Sequence, residues 1–322
     1  MKSTVLRALA VLSVAAALPA AAQAADYPSR PITFVVPFAA GSATDQLGRA
    51  LAKGITQQTG KAVIVEDKPG GEAMIGAQAV AHAAPDGYRV LITTNTTHAA
   101  DQYLYKHIPF DPVKDFSPIT LLGKGWLVMV VNPKLGAHSV KDFVAMARKS
   151  PGKLTFGSGS SSSRVAGELL QQMAGIKILN VPYKSNPLAI TDLLGGQIDM
   201  MVTDTATGLP QAKSGKLLAL GVTGPKELSL APGVPTIAEA GVPGYEMGYW
   251  FAAYAPARTP QAVIDTLHEM LVNAMQSDAV KQFYATTGTD ASTSTPAELA
   301  AFQKSESQKW KEIIAKAGIQ PE

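Results

Sequence analysis

The sequence predicts an α/β protein, and three observations lead there. Short runs rich in Val, Ile and Leu alternate with stretches whose apolar residues recur at helical spacing, the pattern of strands and helices layered around largely parallel sheets. Several runs end in loops of Gly, Ser and Thr just where the next helix begins, which is how such folds present free backbone N–H groups to an anion. Two longer apolar runs, 126–132 and 249–256, lead into Pro-containing segments. If both are crossover strands, the two ends of the chain form one domain, the middle a second, and a cleft lies between.

The elements follow in order. Lys2 and Arg7 form a basic start, residues 8–18 are an apolar run too short to span a bilayer, and Ala22-Gln23-Ala24 is a small-x-small cleavage site. Residues 1–24 are therefore read as a secretory signal cut after Ala24, which makes the chain a secreted or periplasmic protein. Strands are expected at 32–36, 63–66, 89–93, 127–131, 154–156, 198–202 and 217–222, with helices at 45–58, 75–83, 140–147, 165–173, 188–194 and 207–214. Two packing helices, 262–277 and 296–317, complete the count. The expected domains are 25–125 with 250–322, and 126–249.

Composition excludes several functions. Without the two cations of the leader, the 28 basic residues become 26 against 25 acidic ones, so neither nucleic acid nor a polybasic membrane anchor is favoured. There is no Cys, hence no disulfide, thiolate metal site or thiol nucleophile. Gly-x-Ser-x-Gly, a Walker A lysine, Gly-x-Gly-x-x-Gly after the first strand and His-Glu-x-x-His are all missing. The five histidines are scattered singly, and only His98 falls in a candidate loop. Many donors with few titrating groups point to binding rather than turnover, with no metal or cofactor.

Three loops are expected to line the cleft. The first, 38–45, carries Phe38, Ala39, Ser42 and Asp45; Ser42 and Asp45 have the spacing of a capping box, and a well-made helix start is its simpler reading. The second, 156–164, has Ser158 and Ser160 to Ser163 before Arg164, a set of small donors suited to a carboxylate or phosphate, or else a plain polar loop. The third, 93–98, offers Thr94, Asn95 and His98. Asp204, just beyond a strand, joins them or caps a helix.

A set of short motifs then runs through the chain in order: Tyr27-Pro28-Ser29-Arg30-Pro31-Ile32, Val35-Val36-Pro37-Phe38-Ala39-Ala40-Gly41 with Asp45, Val65-Glu66-Asp67-Lys68-Pro69-Gly70-Gly71, and Pro85-Asp86-Gly87-Tyr88. Asp115-Phe116-Ser117-Pro118, Pro151-Gly152-Lys153-Leu154, Val181-Pro182-Tyr183-Lys184, Gly215-Lys216-Leu217 and 234–241 continue it. In this ordered set the chain resembles the substrate-binding proteins of the tripartite tricarboxylate transporter family, the TctC or Bug receptors. The resemblance implies a two-domain periplasmic binding fold, a monomer that closes over a small carboxylate and delivers it to a two-component membrane permease. By position it puts Phe38, Ala39, Ser42 and Asp45 on one wall and Ser158, Ser160, Ser162 and Ser163 on the other.

Departures from the family pattern bear on ligand choice. Ala39 stands where relatives have Pro, Ser42 where they have Gly, Arg164 where they have His, and Asn180 and Ser185 flank the Val-Pro-Tyr-Lys motif in place of His and Gly. Arg164 is expected to hold a ligand carboxylate with its planar fork of donors. Phe38, Tyr183, Tyr249, Trp250 and Phe251 leave room for an aromatic acid, as an alternative to an aliphatic dicarboxylate. Two rival functions carry the same residues: a receptor feeding a sensor kinase, and a secreted hydrolase using Asp45, His98 or a loop serine.

Overall fold

The β-branched and aromatic runs of this chain become strands, and each polar-capped amphipathic stretch between them becomes a helix laid on the sheet. The computed structural model describes residues 27–322, so the expected leader at 1–24 lies outside the described residues. The N-terminal portion builds β1 (Ile32–Val36), α1 (Ala43–Thr59), β2 (Val63–Asp67), α2 (Met74–Ala81), β3 (Arg89–Thr94) and the short α3 (Asp101–Leu104). A 16-residue strand, β4 (Phe116–Val131), leads into α4 (Val140–Lys149), β5 (Thr155–Ser158), α5 (Ser161–Ala174) and β6 (Leu179–Pro182). Then come α6 (Asn186–Gly195), β7 (Met200–Asp204), α7 (Thr205–Lys213) and β8 (Leu218–Val222). The chain returns through β9 (Gly248–Pro256) to α8 (Gln261–Ala274), α9 (Asp278–Thr287) and α10 (Pro296–Lys316).

The strands join in the order β2-β1-β3-β9-β4-β7-β5-β6, with β8 also on β4. Pairing is parallel on both flanks, β1 with β2 and β3, and β5 with β6 and β7. It is antiparallel in the middle, where β9 runs between β3 and β4 and the far half of β4 runs beside β7 and β8. The largely parallel expectation thus holds for the flanks and gives way at the centre. There, β4 bonds β9 over Phe116–Trp126 and then, from Leu127 on, bonds β7. Apolar content marks a buried strand but carries no direction, so this reversal is invisible in composition.

Helix ends follow local chemistry. Ser42, Ser139, Ser160, Ser277 and Thr295 each accept a hydrogen bond from the third residue of the helix they open, and Gly60, Gly175, Gly196 and Gly288 close helices in the left-handed conformation. Because Ser160 is the cap, Ser161 to Ser163 are the first turn of α5, not part of a loop that lasts to Arg164. Residues 96–100, expected as a loop, form a π-helical turn, and α9 and β6 lie where no element was expected. Among the described residues no helix is long and apolar enough to cross a membrane.

The core is continuous through the strands at the centre. Ile32, Phe34, Leu91, Val131, Phe156, Trp250 and Tyr254 are buried in one cluster, and a smaller cluster under α6 and α7 holds Val128, Leu193 and Met201. Strand ends that leave this core open onto the starts of α1, α5 and α7, where the candidate site lies.

Candidate functional site

Helix starts meet where the strands end. Ser42, Ala43 and Thr44 at the start of α1 and Ser160 and Ser162 at the start of α5 line a small cavity whose empty space, open mouth included, is about 390 Å³. Asn186, first in α6, and Asp204, the cap of α7, close the same wall as the two serines. The first N–H groups of a helix have no acceptor within it, so the starts of α1 and α5 turn unpaired donors and the positive ends of their dipoles toward this space. Phe38, Leu127, Tyr249 and Phe251 supply an apolar surface, and Thr94 a hydroxyl.

Hydrogen bonds hold the walls rigid. Ser42 Oγ accepts from Asp45 N at 3.2 Å while Asp45 accepts from Gly41 N at 2.8 Å and pairs with Arg49 at 2.6 Å. Across the cavity, Ser163 Oγ accepts from Gly159 N at 3.0 Å and from Ser160 N at 3.1 Å. Asp204 accepts from Thr207 N and from Asn186 Nδ2, both at 2.8 Å, which ties α6 to α7. The Ser185 and Thr207 hydroxyls at these two helix starts are buried with no protein partner. Unpartnered buried hydroxyls beside a cavity favour a polar occupant.

The lining residues include no Lys, Arg or His, and Asp204 is their one carboxylate. Amides and hydroxyls, rather than side-chain cations, are therefore the groups that would meet an anion here. Asp204 would accept from a ligand hydroxyl, its carboxylate already taking hydrogen bonds from Asn186 and Thr207. Among the described residues no three His, Asp or Glu side chains gather to hold a metal.

Of the residues singled out from sequence, the structure brings Phe38, Ser42, Thr94, Ser160, Ser162, Asp204, Tyr249 and Phe251 together on the lining, while Trp250 is buried against Phe302. Ala39 stays in the half-buried turn before α1, and Asp45 and Ser163 serve the caps just described. Asn95 stands behind the wall, donating to Ser162 Oγ at 2.8 Å and accepting from Trp250 N at 3.3 Å. Ser158 ends β5 and donates to Asn180 Oδ1 at 2.8 Å.

Three side chains point elsewhere. Arg164, two residues beyond Ser162 and so roughly 200° around the helix, pairs with Glu322 at 2.6 Å and reaches Tyr105 OH at 3.2 Å. The Tyr183 hydroxyl donates to Asp192 at 2.8 Å. His98 is fully buried, stacked on Tyr254 at 3.8 Å and edge-on to Phe116 at 4.6 Å. Strand continuity through Thr94 followed by the π-helical turn carries its ring into the core.

Ala43, Thr44, Leu127 and Asn186 join the lining without having been singled out. Asn186 had a readable signal, a polar residue directly before Pro187 at a helix start. Ser160→Ala tests the α5 wall: it removes one cap acceptor, so stability to urea should fall by about 1 kcal/mol with the fold retained. An unchanged unfolding midpoint would show that the cap bond carries nothing.

A family model described as "Tripartite tricarboxylate transporter family receptor" matches residues 47–319. Protein BugT of Bordetella pertussis is 33% identical over 318 residues, covering 97% of this chain and 98% of that protein. Among solved structures, R. palustris Rpa4515 with adipate superposes with a TM-score of 0.89 at 30% identity, over 92% of this chain and 100% of that one. MatC from Rhodopseudomonas palustris with bound malate does so with a TM-score of 0.85 at 26% identity, over 89% and 100%.

Proposed function

The chain belongs to the tripartite tricarboxylate transporter receptor family, whose members are periplasmic solute-binding proteins, and on that premise we propose that it captures a small aliphatic dicarboxylate and passes it to a membrane permease. The observation that carries this reading is the convergence of helix starts, without side-chain cations, on one small cavity. Amides at the start of α1 would hold one carboxylate and those at the start of α5 the other, with Phe38, Leu127 and Phe251 against the carbon chain. Adipate and malate in two structural relatives support a ligand of four to six carbons.

In this reading residues 25–125 with 250–322 form one lobe and 126–249 the other. β4 and β9 are the crossings, and ligand favours the closed arrangement because only there do both walls reach it. Export through the leader, cut after Ala24, brings a monomer to the periplasm, where a two-component permease receives the ligand.

A thermal and urea stability screen over aliphatic dicarboxylates of four to six carbons tests the ligand class. One at 100 times its dissociation constant should add about 2.7 kcal/mol to the unfolding free energy. Stabilisation by amino acids or monocarboxylates alone would overturn the proposal.

A further inference from the structure

A second polar cluster lies on the side of α5 turned away from the cavity, and the ligand reading makes no use of it. Ser161 Oγ donates to Asp101 Oδ1 at 2.7 Å, and Arg164 reaches both Tyr105 and Glu322. Glu322 is itself tied down, its N–H donating to Leu104 O at 3.1 Å and its carbonyl accepting from Lys106 N at 2.9 Å. Glu72, in the turn before α2, and Glu168 of α5 both lie within electrostatic reach of the same guanidinium. In the lobe division above, Ser161, Arg164 and Glu168 come from one lobe and Glu72, Asp101, Tyr105 and Glu322 from the other.

Glu72 is held there against its backbone preference. Gly70, Gly71, Glu72 and Ala73 have successive φ values of 124°, 54°, 51° and 72°, a left-handed run in which glycine is at home and glutamate is not. Strain of this kind persists where a side chain must be aimed, and Glu72 Oε2 ends sealed from solvent with no partner. Asp101 Oδ2 and Arg164 Nε are equally buried and unpartnered. Glu72 and Asp101 thus each bury a carboxylate oxygen near one guanidinium that is hydrogen-bonded to neither. Leaving both ionised would bury uncompensated negative charge.

We infer that Glu72, Asp101, Arg164 and Glu322 form a proton-linked clasp, in which docking the start of α5 takes up a proton at Glu72 and so makes ligand retention stronger as pH falls. The inference rests on the proposed closure of the lobes over a ligand. Burial pushes the Glu72 carboxyl from its ordinary 4.5 up to about 7, with Arg164 opposing and Glu322 adding to the rise. Burial also raises Asp101 well above its usual range and lifts Tyr105 and Glu168. The sign follows from the raised value: a carboxyl that is harder to ionise when docked favours docking fully below 4.5, and that advantage fades as pH climbs toward 7.

The test compares the full chain with Glu72→Gln at pH 6 and pH 8. Calorimetry with adipate as probe, in buffers of different ionisation heat, should show wild type taking up about 0.9 proton more than the variant at pH 6 and about 0.1 more at pH 8. Wild-type affinity should be about tenfold weaker at pH 8 than the Glu72→Gln profile accounts for. Small-angle scattering without ligand should show wild type more compact at pH 6 than at pH 8, with Glu72→Gln alike at both.

If adipate binds and the two proteins share one pH profile, the clasp is overturned and the dicarboxylate reading stands. If adipate fails to bind while wild type alone compacts at low pH, the clasp stands and the ligand class falls. If neither signal appears, both fall.

Discussion

Gly159→Ala is expected to lower stability by about 3 kcal/mol and to abolish ligand binding, because it drives the starts of α5 and α6 apart. A Cβ on residue 159 would lie 2.1 Å from the Ser185 carbonyl carbon and 2.2 Å from Asn186 N. Both atoms are backbone at the start of α6, so no side chain can swing aside to make room. Any relaxation must shift Ser160 and Ser162 away from Asn186, which breaks the wall of the cavity. Gly175→Ala is the control: its φ is 59° and its Cβ would meet nothing within 4 Å, so it should cost only the backbone preference, about 1 kcal/mol, and leave binding intact. Urea unfolding and ligand calorimetry on both variants decide the matter. Equal losses would mean that the contact between the two helix starts is loose.

The second large effect is an acid-sensitive core. His98 is completely buried between Tyr254 and Phe116, its Nε2 has no partner, and burial lowers its pKa to about 3 from 6.5. A base whose charged form is disfavoured in the fold supports the native state fully above its unfolded pKa and loses that support as pH falls toward the folded value. Across 6.5 to 3 the loss is on the order of 5 kcal/mol, and the raised carboxyls at Glu72 and Asp101 work in the opposite direction. His98→Phe keeps an aromatic ring against Tyr254 and removes the titration. Its stability, measured by urea unfolding at steps from pH 7 to pH 4, should therefore decline much less than that of wild type. Parallel declines would place the acid sensitivity elsewhere.

These two cases show where local reading works and where it stops. Ser42 was legible because a cap acts on a residue three positions away, whereas the serine run concealed Ser160 as the cap of α5 while still marking where backbone donors would be free. Phe38, Thr94 and Asp204 were reachable by the rule that ligands sit beyond strand ends. Arg164 was not, because its partners Tyr105 and Glu322 lie far away in sequence and the turn of α5 swings it from the cavity. His98 went the same way: polar neighbours in sequence concealed an aromatic stack with residues 116 and 254. Leu127 reaches the candidate site through strand pairing that no window of sequence contains.

By itself the sequence determined the α/β class, most helix starts and strands, the glycine and serine turns, the absence of thiol chemistry and the ordered motifs of the family. All of these depend on interactions within a few residues, or on composition, and both are written along the chain. Only the tertiary structure decided that β4 and β9 run antiparallel through the middle of the sheet, that helix starts rather than an arginine face the cavity, and that Glu72 and Asp101 each bury an unpartnered carboxylate oxygen near Arg164. Strand direction, the face a side chain takes and the water a carboxyl loses are set by what packs against them from elsewhere in the chain. Burial and pairing are properties of the folded neighbourhood, and they appear only when distant segments meet.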